Sequence, residues 1–475
     1  MKRTKDNDIS HDSMKSDAAT TVEKLSRREF AKSSVAAGAV AVTIPGVLQA
    51  AQQSSDGAPA PANSPQNAGS GTVEHRDGTT IPAEYYYEMK HYRKDEEYIA
   101  EKFWLMADHV SRVSEPGDFF VFKFGLGQSA IVVRNESGDI KAFHNVCRHR
   151  GSRLCRHDED PRPDDDRLSV RQSGESGNSQ VFRCPYHAWM YDLDGNLIDA
   201  YDTPEDFDMA DNGLISCHLH IAAGHIFLNF SRAGEPPPFD DIFGYGFERI
   251  SQNFDMAALK VGTRKSYQMK ANWKLGLENF MECYHCGASH DNLVATHNWD
   301  YSLSDGRRGR WDNRVAEWIG PELAADRGTG SGGPYDGELN PGFLTGSVDG
   351  KRLAPLLPGI KEWSHDTDIA ITWFDTGYWQ TYDDHIVVAR FTPRGPELTD
   401  IEIFWLVHPD AVAGSDFDPE KLRELWDITI IEDAWIVENN HAGIKSMGYR
   451  PGRYTMHETQ PSYFASWYIK EIVNG

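Results

Sequence analysis

The chain has 475 residues, enough for two or three domains, and 39% of them are hydrophobic. A mean hydropathy of −0.57 and a formal net charge of −24 describe a soluble globular protein and argue against nucleic acid or an anionic membrane surface as a partner. Six cysteines in this length do not make a disulfide scaffold.

Near the N-terminus, Ser26-Arg27-Arg28-Glu29-Phe30-Ala31-Lys32 carries a twin-arginine export signature. A weakly apolar stretch follows from Val35 to Leu48, and Leu48-Gln49-Ala50 suits cleavage before Ala51. The apolar stretch is shorter than the ~20 residues a spanning helix needs. Residues 1–50 are therefore expected to be a signal segment and the mature protein periplasmic; the alternative is an uncleaved tail on a cytoplasmic protein. Residues 51–81, rich in Ala, Pro, Ser, Gly, Asn and Gln, are expected to be a disordered linker. Residues 82–110 are expected to be helical.

Residues 111–232 read as an all-β unit. The short alternating runs Phe119–Phe124, Ala130–Arg134 and Ile140–Phe143 predict strands, with turns at Asn135–Gly138 and Asp194-Gly195. Inside this unit lie Cys147-Arg148-His149 and Cys184-Pro185-Tyr186-His187. Two thiolates and two imidazoles in short paired loops are the ligand set of a Rieske [2Fe-2S] cluster, one iron taking both sulfurs and the other both nitrogens. Between the loops, Asp158 to Gln180 is polar, with Asp164-Asp165-Asp166 and several Gly and Ser, and is expected to be a solvated insertion.

Arg232 to Asp241, containing Pro236-Pro237-Pro238, reads as a stiff connector into a second domain, 240–475. A second motif opens that domain: Asn272-Trp273-Lys274, Glu278-Asn279, Glu282-Cys283-Tyr284-His285-Cys286 and His290. Two histidines and one carboxylate on one face of Fe(II) leave positions open for O2 and substrate, and His285 and His290 are the candidate imidazole ligands. Five residues of spacing puts them ~140° apart on an unbroken helix, so the helix is expected to end or distort between them, with Gly287 placed to allow it. Glu282, three residues before His285, falls on the same helical face. The third ligand must come from elsewhere in the chain.

Strands are expected at Ile369–Phe374, His385–Phe391 and Ile401–His408, and Asp326 to Asp349 is expected to be a Gly-rich loop near the pocket mouth. Asp418, Pro419 and Glu420 open a C-terminal helix as N-cap, first helical residue and first-turn acid. That helix carries Glu432 and Asp433, ~100° apart, so only one of them faces the iron. Cys155, Cys217, Cys283 and Cys286 have no usable partner spacing and read as structural. Trp363, Trp373, Trp379 and Trp405 could cage a cation or simply fill the core.

Taken together, the flanks of the first motif (Asn145 to Gly151, Cys184 to Trp189) and the whole of the second resemble the alpha subunits of aromatic-ring-hydroxylating Rieske oxygenases, over roughly four-fifths of the chain. The resemblance implies an α+β protein: an all-β Rieske domain and a helix-grip catalytic domain, with a curved antiparallel sheet over long helices. It implies that Cys147, His149, Cys184 and His187 hold the cluster, and that His285, His290 and Asp433 hold a mononuclear Fe(II). Glu282 would link that iron to the cluster of a neighbouring subunit, in a homotrimer that draws electrons from a separate reductase or ferredoxin. A small beta subunit is compatible. Ala188 stands where the family commonly has Gly, and its methyl is expected to be tolerated. Hydroxylation or dihydroxylation of an aromatic or small organic substrate by O2 is the family expectation. The alternative, carried by Glu282 and its neighbours, is oxidation or demethylation of a quaternary or methylated amine. An exported Rieske electron carrier is a weaker alternative. Such carriers have an extra disulfide between the cluster loops, where this chain has Ser152 and Tyr186, and they need no second iron site.

Overall fold

The computed structural model describes residues 72–157, 172–232, 234–239, 254–297, 335–337, 339–363, 369–374, 376–455 and 457–475. The signal segment 1–50, the linker as far as residue 71, the acidic centre of the polar insertion and the first part of the Gly-rich stretch, 326–334, lie outside the described residues.

Among the described residues, two helices, α1 (Glu84–Tyr87) and α2 (Met89–Lys102), come first. The helical segment ends at Lys102 and not near residue 110, because Leu105–His109 is strand β1, buried at all five positions. Leu105, Met106 and Ala107 are buried there by packing, and Asp108 and His109 by their hydrogen bonds to Arg264 and Met256. The β-unit continues with β2 (Asp118–Phe124), β3 (Gln128–Arg134), β4 (Ile140–His144), β5 (Ser176–Asn178), β6 (Phe182–Arg183), β7 (Met190–Tyr191), β8 (Leu197–Asp199), β9 (His218–Ala222) and β10 (His225–Asn229). They form sheets ordered β4-β3-β2-β5, β6-β7-β8 and β1-β10-β9. The polar insertion is thus not all surface loop: its last part is an exposed edge strand, β5, paired with β2.

Alternation along β2 assigns its two faces to different jobs. Phe119 and Val121 pack with Ile131, Val133, Cys147 and Cys184 in the core that backs the cluster loops. Phe120, Phe122 and Phe124 join the main core shared with α2 and the catalytic domain.

The second domain contains β11 (Lys260–Met269), α3 (Trp273–Phe280), α4 (Cys286–Ser289), α5 (Asp291–Thr296), β12 (Tyr335–Gly337), β13 (Ile369–Phe374), β14 (Gly377–Thr381), β15 (Ile386–Gly395), β16 (Leu398–Val407), α6 (Pro419–Ile444) and α7 (Thr459–Trp467). Its six strands make one antiparallel sheet, ordered β11-β16-β15-β14-β13-β12. Again the period of two divides the sheet. Tyr378, Val387, Ala389, Ile403 and Trp405 face the core with Leu422, Trp426, Ile430 and Val437 of α6. Trp379, Ile386, Val388, Phe404 and Leu406 face Met106 and Phe227 of the β1-β10-β9 sheet. The sheet therefore carries the long helix on one side and the Rieske unit on the other.

Two polar anchors hold this arrangement. Asp418 caps α6, accepting from Glu420 N at 2.9 Å. Asp95 of α2, fully buried, takes Trp273 Nε1 at 3.1 Å, Tyr468 OH at 2.7 Å and the Lys274 ammonium. The Asn272-Trp273-Lys274 part of the second motif is thus a structural lock: Asn272 caps α3, and the next two residues seat α3 against α2.

Candidate active site

The cluster motifs sit in two loops, one after β4 and one after β6. Each loop is closed by a backbone bond, Cys147 N to Ser152 O at 2.8 Å and Cys184 N to Trp189 O at 2.8 Å. Cys147 and Cys184 are each 2% exposed. Tyr191 OH lies 3.3 Å from Cys147 Sγ and accepts from Arg148 N at 3.1 Å. The His149 and His187 rings meet 4.6 Å apart, and His149 stacks on Trp189. Two inward thiols and two imidazoles at the loop tips thus converge at one end of the domain, which suits a cluster bound by two Cys and two His. Burial pushes the Cys147 thiol up from its ordinary pKa, so a bound metal must supply the stabilisation of its thiolate. Ser152 and Tyr186 leave no cysteine pair to cross-link the loops.

Ala188, in the second loop, has φ +63°, a left-handed conformation. The methyl is accommodated, but at a conformational cost that Gly avoids.

At the second motif the chain leaves the helix twice. α3 ends at Phe280, residues 281–285 are not helical, and α4 is a single turn. The second break falls at His290 itself (φ −127°, ψ 74°), where α5 starts, and not at Gly287, which lies inside α4. Nor does Glu282 share a helix with His285. Its carboxylate folds forward onto the amides of Tyr284 and His285 and reaches His285 Nδ1 at 2.6 Å. A carboxylate that accepts from the amides two and three residues on stabilises a turn; it does not continue a helix.

The ligand candidates meet across α4, α5 and α6. Asp433 Oδ1 lies 3.2 Å from His285 Nε2 and 2.9 Å from His290 Nε2. Ligand atoms at right angles around one ion, each ~2.1 Å from it, are separated by roughly 3 Å, so the three atoms fit a single metal ion. Asp433 is 3% exposed and His290 1%. Beside them, the buried Asn279 Oδ1 has no hydrogen-bond partner among the described residues. Burial disfavours charge on His285, yet its bonds to Asp433 and Glu282 outweigh this and hold its pKa at about 9. His290 is raised by the same balance, and Asp433 is held low by the two imidazoles despite burial. An ion bound here competes with protons for both imidazoles. Of the two adjacent acids on α6, Asp433 faces the centre, while Glu432 reaches the outer nitrogen of His290, Nδ1, at 3.0 Å.

Cys283 and Cys286 correct their earlier reading. They are joined in a disulfide across Tyr284-His285. Cys286 Sγ is 3.9 Å from His285 Nε2, close enough to group with the two histidines, but its sulfur is committed to Cys283. Cys155 and Cys217 are free and buried, their thiols pushed up to about 12 by burial.

The tryptophans divide. Trp379 packs on the Rieske-facing side of the sheet, and Trp405 is on the helix-facing side. Trp363 is half-buried, and the Trp373 side chain lies outside the described residues. The rings near Asp433 are others. Tyr378 is 6.0 Å from Phe280 and 6.3 Å from Trp426, and the Asp433 charge, after burial, raises the Tyr378 pKa. Trp426 lies two turns before Asp433 on α6, a spacing of seven that was legible in the sequence.

A β-unit with a two-Cys, two-His loop pair, joined to a sheet-and-helix domain with a two-His, one-carboxylate centre, defines an oxygenase that couples an iron–sulfur cluster to a mononuclear iron. Comparison with known proteins agrees. Residues 103–206 match the Rieske [2Fe-2S] domain, and residues 256–473 match the ring hydroxylating alpha subunit (catalytic domain). The glycine betaine monooxygenase oxygenase subunit of Pseudomonas aeruginosa is 32% identical over 408 residues, 83% of this chain and 90% of that protein. Its counterpart in Chromohalobacter salexigens is 30% identical over 411 residues, 83% of this chain and 86% of that one. A quaternary ammonium Rieske monooxygenase in complex with L-carnitine has the same fold, with TM-score 0.60 and 22% identity over 83% of this chain and 96% of that one. Naphthalene 1,2-dioxygenase from Rhodococcus sp. aligns with TM-score 0.51 and 19% identity over 83% and 94%. The chain belongs to the Rieske non-haem iron oxygenases.

Proposed function

We propose that this chain is the oxygenase component of a monooxygenase acting on a quaternary or N-methylated ammonium compound. The observation that carries this reading is its similarity, over nearly their whole length, to glycine betaine monooxygenase subunits. The site supports it. Phe280 and Trp426 pack around Tyr378, whose ring lies within reach of the Asp433 charge, and aromatic rings so placed attract a cation at short range. The net charge of −24 favours cation approach at long range. Arene hydroxylation, the broader family expectation, has no comparable support.

In this reading Cys147, His149, Cys184 and His187 hold the cluster, and His285, His290 and Asp433 hold Fe(II). The bound cluster supplies electrons singly, and the bound iron activates O2. One oxygen atom enters a C–H bond next to nitrogen and the other leaves as water, consuming two electrons and two protons. The resulting carbinolamine then breaks its C–N bond, releasing an aldehyde and the shortened amine. The aromatic wall holds the cationic end and aims the carbon at the metal; burial of Asp433 and His290 keeps bulk water out.

Electrons come from a separate reductase or ferredoxin and pass between subunits through Glu282. Within one chain that carboxylate already holds His285 from behind. Exposed apolar residues flank both centres: Val146 and Tyr186 at the cluster tip, and Tyr284, Ile431 and Trp435 near the iron ligands. Two unlike patches of this kind suit head-to-tail contact, which closes into a ring such as a trimer. Export through the twin-arginine route stays part of the proposal, and a disulfide at Cys283–Cys286 is at home in an oxidising compartment.

The test is turnover by the reconstituted holoenzyme with a chemical or enzymatic electron donor, comparing glycine betaine, L-carnitine and naphthalene. Aldehyde and shortened amine in step with O2 uptake, from a methylated ammonium substrate only, support the reading. A diol from naphthalene with no reaction of either amine would overturn it.

A further inference from the structure

His285 and His290 are held alike. Each turns Nε2 toward Asp433 Oδ1 and Nδ1 toward a glutamate: Glu282 Oε1 at 2.6 Å and Glu432 Oε2 at 3.0 Å. The two glutamates arrive by unrelated routes. Glu282 comes from the turn before α4, three residues from its histidine; Glu432 comes from α6, beside Asp433 and 142 residues from His290. An imidazole that donates Nδ1–H to a carboxylate has its tautomer and ring plane set, with the Nε2 lone pair free for a metal. On α6, consecutive residues point ~100° apart. One helix turn therefore grips the His290 ring at both nitrogens, Asp433 from the metal side and Glu432 from the other.

We propose that Glu432 is a positioning residue for the mononuclear metal, holding His290 in the orientation and tautomer that present Nε2. This rests on the assignment of His285, His290 and Asp433 as metal ligands. Its side chain is 36% exposed, so its contact with His290 can be removed without opening a buried cavity. The two glutamates differ in one respect: Glu282, which holds His285 in the same way, is also assigned to the electron path, whereas Glu432 serves metal retention.

The test is anaerobic Co(II) titration of protein that keeps its cluster but has been freed of mononuclear iron, followed by the visible absorption of the bound ion. Glu432→Ala should bind Co(II) about 10- to 100-fold more weakly. Glu432→Gln, whose amide oxygen still accepts from Nδ1–H, should stay close to wild type. Glu432→Lys, which opposes one donor with another, should be weaker than Glu432→Ala. The reduced-cluster EPR signal should be the same in all three, which also certifies folding. Equal affinity across the series would overturn the proposal, as would Glu432→Gln binding as poorly as Glu432→Ala. Asp433→Ala separates the two levels. If it loses Co(II) binding while the Glu432 series is flat, only the positioning role fails. If it binds as wild type does, the ligand assignment fails, and the proposal with it.

Discussion

Ala188 follows His187 directly in the second cluster loop and occupies a left-handed conformation, at φ +63°. An L-residue pays roughly 1–2 kcal/mol for that conformation, offset in part by the lower unfolded-state entropy of Ala relative to Gly. Ala188→Gly should therefore stabilise the Rieske domain by up to about 1 kcal/mol, read as a higher urea midpoint with an unchanged cluster spectrum. Glu278 gives a pH-dependent prediction. Burial raises its pKa from 4.5 to about 7, even though it accepts from Tyr86 OH at 2.9 Å. The folded state then holds a proton that the unfolded state releases, so stability falls as pH rises through that interval and levels off above it. The total is on the order of 3 kcal/mol. Glu278→Gln, which keeps an acceptor for Tyr86, should flatten this slope and leave the variant more stable than wild type at pH 8. An unchanged slope would mean that Glu278 is ionised throughout. Glu282→Ala should keep the cluster and, with its mononuclear iron restored to saturation, lose coupled turnover; normal turnover would remove the bridge assignment.

At the scale of elements, the anchors of α2, α3 and α6 carry the largest expected effects. Asp95→Ala would strand the buried Lys274 ammonium, a change that costs about 3–5 kcal/mol; thermal unfolding should show it as a large loss. Much of this level was legible in the sequence. The β2, β3, β4, β13, β15 and β16 strands and the Asp418 cap follow from period-two alternation and cap chemistry, both local signals. β11 was not anticipated, because Lys260–Met269 is mostly half-buried and includes Lys, Arg, Ser and Gln, so its alternation is muted. The helix extension to residue 110 failed because a buried apolar run suits a strand as well as a helix, and pairing with β10 decides between them. The site was readable as far as its ligand types and spacings reached. The contact of Glu432 with His290 and the ring wall of Phe280, Tyr378 and Trp426 were not, since each depends on α6 packing over segments more than a hundred residues or one sheet width away. The Cys283–Cys286 link was not read from the sequence, because the spacing alone does not bring the sulfurs together; the turn at 281–285 does.

For the whole molecule, the fold backs the catalytic sheet with the Rieske unit, and the two share a packed core around Met106, Phe227 and Trp379. Glu282 makes its hydrogen bonds locally within the chain, so the proposed bridge from it to a cluster calls for a neighbouring subunit. The most direct test of the account is iron and acid-labile sulfide content on anaerobically purified protein, with EPR after reduction, for wild type and Asp433→Ala side by side. The account predicts roughly three irons and two sulfides per wild-type chain, and loss of one iron in Asp433→Ala with the Rieske signal intact. Only two irons in wild type, or a third iron that survives Asp433→Ala, would contradict it.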